Sequence, residues 1–193
     1  MKEYSFFALL SRMKYINRWG LMRNTRSENI AEHSLQAAMI AHALAKLGNL
    51  YLGKSYDANA ICVQALYHDT EEILTGDMPT PVKYLNDDIK RSVKQAEAQA
   101  RNKLLSLLPD DMSGDYMHIL NPQDAEAEKL VKAADILCAH IKCIEEIHSG
   151  NNEFARAKEH SMKKLGNLGC AEAEIFCEKF LPAFSATLDD LEL

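Results

Sequence analysis

The chain has 193 residues, 47% of them hydrophobic and 26% charged, and a formal net charge of −6. That is enough for one domain with a sizeable core. Its acidity argues against non-specific nucleic-acid binding, which needs a basic surface, and an anionic substrate would need a local basic pocket.

No apolar run approaches the roughly 18 to 20 residues of a membrane span. The most apolar stretch, Ala37 to Ala45, is interrupted by His42. The start, "MKEYSFFALLSRMK", carries no cleavage-site pattern and reads as mature structure. Cys62, Cys138, Cys143, Cys170 and Cys177 are odd in number and form no CxxC pair. They read as reduced residues of a cytoplasmic protein.

Nearly every segment repeats its apolar positions at a period near 3.6, which predicts an all-α chain. Phe6, Leu9, Leu10, Met13 and Ile16 mark a first helix, followed by the polar loop "NRWGLMRNTRS". A second helix starts near Asn29, where "NIAE" can form a capping box, and ends at "KLGN". Its buried stripe includes Ala37, Ile40, Ala41 and Leu44. A third runs from Asp57, an N-cap, to Gly76, a C-terminal stop. Pro79 and Pro81 in "GDMPTPV" then hold the backbone extended. A charged helix covers about Asn86 to Leu108, "DDMSGDY" is a loop, and a long helix spans Ala125 to His148. The remainder is helical, broken at Pro182. With no repeat, low-complexity tract or linker, residues 1–193 read as a single domain.

Chemistry concentrates in "ALYHDTEEIL", Ala65 to Leu74. On a helical wheel His68 and Asp69 are neighbours, Glu72 falls between them one turn on, and Glu71 points away. So many ionisable groups need a positive partner. An imidazole with a carboxylate suits a divalent ion such as Zn, Mn, Co or Fe, although a structural His–Asp pair meets the same pattern. His33 shares the apolar face of the second helix, where a histidine can simply be core. Asp135 lies in the apolar run "LVKAADILCAHI", where an ionised carboxylate is costly unless paired or metal-bound.

The order His33, His68-Asp69, Asp135 resembles the HD-domain superfamily of metal-dependent phosphohydrolases, which are helical bundles. The stretches "INRWGLMRNTRSENIAEHS", "HDTEEILTGDMPTPVKY" and "NNEF" resemble its bacterial 5′-deoxynucleotidase branch over nearly the whole chain. The resemblance implies a single HD domain that hydrolyses deoxyribonucleoside 5′-monophosphates. It also implies one divalent ion, such as Co or Mn, and a cytoplasmic homodimer that engages neither membrane nor nucleic-acid polymer.

By the same resemblance His33, His68, Asp69 and Asp135 hold the ion. Arg18 orients the phosphate, and Trp19, Asp77 and Thr80 contact the nucleotide together with His33, Asp69 and Asp135. Glu72 is placed to handle the proton of the attacking water or of the leaving 5′-oxygen, with Asp77 as second acid/base candidate. Arg23 and Arg26 are open between phosphate binding and loop support, and Trp19 between sugar wall and core anchor. His42, His140, His148 and His160 have no partner pattern and read as structural or exposed. Only His118 falls between Asp69 and Asp135, which favours one metal over the two of dinuclear relatives. Two alternatives stand beside this reading. One is a guanosine tetraphosphate hydrolase, disfavoured because Ile73 replaces an acid in the HDxxED pattern such enzymes resemble. The other is a non-catalytic metal-bound sensor, which would have no use for Glu72, Asp77 and Arg18.

Overall fold

The computed structural model describes residues 3–191. Among them the regular structure is helical, with one isolated bridge between Asn17 and Asn29 and no strand. The α-helices are α1 (Phe6–Leu10), α2 (Ile30–Tyr51), α3 (Ala58–Leu66), α4 (Glu72–Thr75), α5 (Thr80–Lys83), α6 (Asp87–Leu105), α7 (Asp110–Leu120), α8 (Ala125–His148), α9 (Ala155–Leu168) and α10 (Ala171–Lys179). The all-α expectation holds.

The chain forms two compact units. The first holds residues up to Arg23, Ser27–Ser34 and Tyr67–Gln123; the second holds Asn24–Arg26, Leu35–Leu66 and the chain from Asp124 onward. In the first, α6 packs against α4, α5 and α7. Phe6, Leu104, Leu105, Leu108 and Leu120 form its core, and Tyr67 and Tyr116 pack against them. Phe6 and Tyr67 each meet the Tyr116 ring edge-on, at centroid distances of 5.2 and 5.9 Å. This cluster fixes the residue that leads into the His68-Asp69 dipeptide.

In the second unit α8 packs against α3, α9 and α10. Its core includes Ala37, Ala41 and Leu44 of α2, Ile61 of α3 and Leu130, Leu137 and Ile141 of α8. A buried ion pair joins Lys142 to Glu146 one turn along α8. The Glu146 carboxylate also accepts from the Thr25 amide (2.9 Å), the Thr25 hydroxyl (2.8 Å) and the Asn151 amide (2.8 Å), and Lys142 donates to the Arg26 carbonyl (2.6 Å). Segment Asn24–Arg26 is thereby pinned to α8. His140 is buried, its Nδ1 2.8 Å from Ser161 Oγ, which is the structural role expected of it.

Several helix starts follow their local chemistry. Asn29 and Glu32 exchange the two bonds of a capping box, and Asp57, Asn86 and Asp124 accept from the first amides of α3, α6 and α8.

Four elements differ from expectation. The first helix stops at Leu10 and yields to a 3₁₀ turn at Met13–Tyr15. The third helix does not run to Gly76; it ends at Leu66, and 67–71 form turns before α4. There Thr70 N–H donates to Tyr67 O, Glu72 N–H to Asp69 O and Ile73 N–H to Thr70 O, the i→i+3 pattern of a tighter helix. Pro81 does not hold its loop extended, because in the first turn of α5 its missing N–H costs nothing. Finally, "DDMSGDY" is helical: Asp110 and Asp111 suit a helix N-terminus, and Met112, Tyr116 and Leu120 present one apolar stripe to the first unit's core.

Candidate active site

Three side chains of the first unit converge on Asp69. Its Oδ2 lies 3.1 Å from His68 Nε2, 3.4 Å from His33 Nε2 and 3.3 Å from Arg18 Nη1. His33 is completely buried one turn into α2, where its amide donates to Asn29 O at 3.1 Å. Its ring and that of His68 have centroids 5.2 Å apart, and each offers a nitrogen within 4.8 Å of the other. The turn at 67–71 carries His68 and Asp69, and Thr70 anchors it by donating its hydroxyl to Tyr67 O at 2.9 Å.

The neighbouring carboxyls feel this crowding. Burial, reinforced by Asp69 and Asp77, pushes the Glu72 carboxyl up to about 9 against the opposing charges of Arg18 and Lys83. Its Oε2 is buried without a hydrogen-bond partner. Burial also raises Asp77; Arg18 opposes this, Asp69 adds to it, and the backbone of Trp19 supplies a hydrogen bond that lowers it. Lys83, which contributes to the field at Glu72, is held by Glu97 at 2.6 Å.

Glu71 corrects the wheel. The side chain is a buried anchor and not a solvated one. Arg101 of α6 donates to its Oε1 at 2.7 Å and, through Nε, to Asn121 Oδ1 at 3.2 Å. Burial raises the Glu71 carboxyl and Arg101 counteracts it.

Trp19 occupies the left-handed region at φ 60°, the one described non-glycine residue with positive φ. Its indole N–H donates to Glu28 Oε2 at 2.8 Å, and its carbonyl accepts from Met22 N–H at 2.9 Å. The same Glu28 Oε2 is 3.4 Å from Arg18 Nε. Arg18, Trp19, His33, His68, Asp69, Glu72 and Asp77 thus belong to one neighbourhood of the first unit. Thr80 is exposed at the head of α5. Asp135 belongs to the second unit, on α8, where its half-buried carboxylate takes the Lys132 ammonium at 2.6 Å. Glu28, Lys83 and Arg101 were missed as partners. Glu28 could have been suspected as the lone acid between the arginine loop and the helix of His33.

The donor set fits a divalent ion. Two imidazole nitrogens lie 3.1 and 3.4 Å from one carboxylate oxygen, a cluster of the type that borderline metals bind.

This helical architecture is that of an HD-domain phosphohydrolase. An HD-domain phosphohydrolase of Listeria innocua superposes with a TM-score of 0.81 at 23% identity, covering 95% of this chain and 90% of that one. The cyanophage S-2L HD phosphohydrolase DatZ, solved with dA and one catalytic Zn²⁺, superposes at 0.67 and 20% identity over 94% and 97% of the two chains. Within that class the sequence is decisive: residues 5–184 match the family described as 5′-deoxynucleotidase YfbR-like. A 5′-deoxynucleotidase of Erwinia tasmaniensis is 48% identical over 188 residues, 96% of this chain and 95% of that protein. The chain belongs to the YfbR-like 5′-deoxynucleotidase family of HD phosphohydrolases, a family of phosphoric monoester hydrolases.

Proposed function

We propose that this protein hydrolyses deoxyribonucleoside 5′-monophosphates to a deoxynucleoside and phosphate, with one divalent ion, such as Co or Mn, held by His33, His68, Asp69 and Asp135. The observation that carries the reading is the convergence of His33, His68 and Arg18 on one oxygen of Asp69, beside a half-buried Glu72 whose Oε2 is shut off from solvent. Asp135 is assigned through the family resemblance, and its half-burial between the buried Ala134 and Ile136 is consistent with a ligand's duty.

An ion bound there supplies Lewis acidity to a phosphoryl oxygen and to the attacking water. The protein's own groups do the rest. Arg18, with its planar fork, orients the phosphate and neutralises part of its charge. As water adds to phosphorus and the P–O5′ bond breaks, one proton leaves the water and one reaches the departing 5′-oxygen. Glu72 is the group placed for that traffic, since a carboxyl raised by burial and by Asp69 can hold a proton near neutral pH. Asp77, bonded to the Trp19 backbone, is the second such group, and with Thr80 and Trp19 it contacts the nucleotide. His33, Asp69 and Asp135 face the substrate as well as the ion. An indole set against C2′ offers a ribose hydroxyl no partner, which favours the deoxy sugar.

The match over residues 5–184 supports treating the chain as one HD domain. The family resemblance supports a cytoplasmic homodimer. No helix of the described residues is long and apolar enough to cross a membrane. The test is phosphate release from a panel of deoxy- and ribonucleoside monophosphates, with guanosine tetraphosphate alongside, each with added Mn²⁺ or Co²⁺. Turnover confined to the deoxy monophosphates is expected. Turnover of guanosine tetraphosphate alone, or none at all, would transfer the chain to the hydrolase or sensor alternatives.

A further inference from the structure

We infer that Glu28 is the positioning residue of this site: its single carboxylate orients the His33 ring through one oxygen and the Trp19 indole through the other. The inference rests on the reading of His33 as a metal ligand and of Trp19 as a sugar wall.

The two oxygens face different functions. Oε1 lies 3.8 Å from His33 Nδ1, while His33 Nε2 faces Asp69. At that distance the contact is electrostatic: a carboxylate facing the far nitrogen of a ligating imidazole favours the N–H on that side and leaves the other nitrogen's lone pair for the ion. Oε2 accepts the Trp19 indole N–H at 2.8 Å and lies 3.4 Å from Arg18 Nε. The Glu28 side chain is only 13% exposed, so a mobile surface carboxylate is not an adequate description.

The backbone around Glu28 works to the same end. Arg18 N–H donates to Glu28 O at 2.9 Å, Ile30 N–H to Ile16 O at 3.0 Å, and Asn17 pairs with Asn29. Segment 16–19 is thereby laid against 28–30, immediately before His33. A tryptophan at φ 60° is sterically costly and persists only where its surroundings over-determine it. The bond to Glu28 is the side-chain half of that restraint. Release of the carboxylate therefore lets two things move at once: the ring that holds the ion and the ring that reads the sugar.

The experiment compares Glu28→Gln and Glu28→Ala with the parent protein. Three readouts are taken: Mn²⁺ affinity by calorimetry, emission and acrylamide quenching of Trp19 in metal-free protein, and the ratio of kcat/KM for dAMP to that for AMP. Trp19 is the only tryptophan, so its fluorescence reports on this contact alone. Glu28→Ala is expected to weaken Mn²⁺ binding about tenfold to a hundredfold, to red-shift and expose Trp19, and to lower the dAMP/AMP ratio. Glu28→Gln keeps an oxygen for the indole but not the charge toward His33, so Mn²⁺ affinity falls while Trp19 emission stays. Unchanged Mn²⁺ affinity or unchanged Trp19 emission in folded Glu28→Ala overturns the proposal, as does a loss of thermal stability with neither. Should Glu28→Ala not fold, Glu28→Gln decides: undiminished Mn²⁺ affinity sinks the idea. Should the parent protein release no phosphate from dAMP, the deoxynucleotidase reading fails, and the Mn²⁺ and fluorescence arms still judge Glu28.

Discussion

Glu71 and Arg101 form a 2.7 Å ion pair that ties the turn carrying His68 and Asp69 to helix α6. Their side chains are 10% and 24% exposed, so removing either leaves the other poorly solvated. Glu71→Ala should destabilise the protein by about 1–3 kcal/mol, the cost of a buried group that loses its charged partner. Urea unfolding measures this. Metal binding at 4 °C should survive, since the Glu71 carboxylate is engaged by Arg101. Parental stability in the variant would show that the pair contributes nothing.

His68→Ala and Asp69→Ala should each abolish both metal content and turnover. Losing one ligand of a small set removes charge neutralisation and geometry together. Elemental analysis of the purified variants is the measurement. Full metal content in both would remove them from the ligand set.

Glu72→Ala should retain metal and substrate affinity and lose roughly 10²–10⁴-fold in turnover, the usual contribution of a positioned proton carrier. Loss of metal together with activity would instead make Glu72 a ligand.

Trp19→Ala should narrow the preference for dAMP over AMP by about tenfold to a hundredfold, because a buried ribose hydroxyl without a partner costs about 1–3 kcal/mol. Arg18→Ala should slow both substrates alike. Steady-state kinetics on the two pairs tests this; an undiminished preference in Trp19→Ala returns that residue to a packing role.

Glu146 gives the pH prediction. Burial alone would raise its carboxyl, but Lys142, the amide and hydroxyl of Thr25 and the Asn151 amide together hold it well below the usual carboxylate range. A depressed carboxyl stabilises the fold fully above its ordinary value of 4.5, and that stability is lost as pH falls toward the folded-state value. Glu146→Gln should therefore cost about 3–5 kcal/mol at pH 7, where Lys142 stays charged without its partner, and should flatten the acid limb of stability. Unfolding free energies between pH 3 and 7 check both. An acid limb as steep as the parent's would mean other carboxyls control it.

Much of this was legible because the candidate ligands punctuate helices. His33 and Asp135 interrupt apolar stripes, and the caps at Asn29, Asp57, Asn86 and Asp124 carry their own signals. The break at 67–71 was not legible: apolar spacing at i+3 fits a tight turn as well as a helix, so Leu66, Ile73 and Leu74 looked continuous. Helix α7 was hidden by Ser113 and Gly114, poor helix formers that packing of Met112, Tyr116 and Leu120 overrides. Glu28 was hidden for another reason. Its partners Trp19 and His33 lie nine residues before and five after it, and no periodic pattern relates a loop to the helix it folds back on.

The left-handed backbone of Trp19 bears on how this protein can be engineered. A residue without a Cβ is at ease at φ 60°, whereas a tryptophan there is strained. Trp19→Gly relieves that strain but gives up the indole's bond to Glu28, whereas Trp19→Ala gives up the bond and keeps the strain. Trp19→Gly should outlast Trp19→Ala on heating and yet select sugars no better. On the proposed reading of Trp19, backbone ease and sugar discrimination are set against each other at this one torsion.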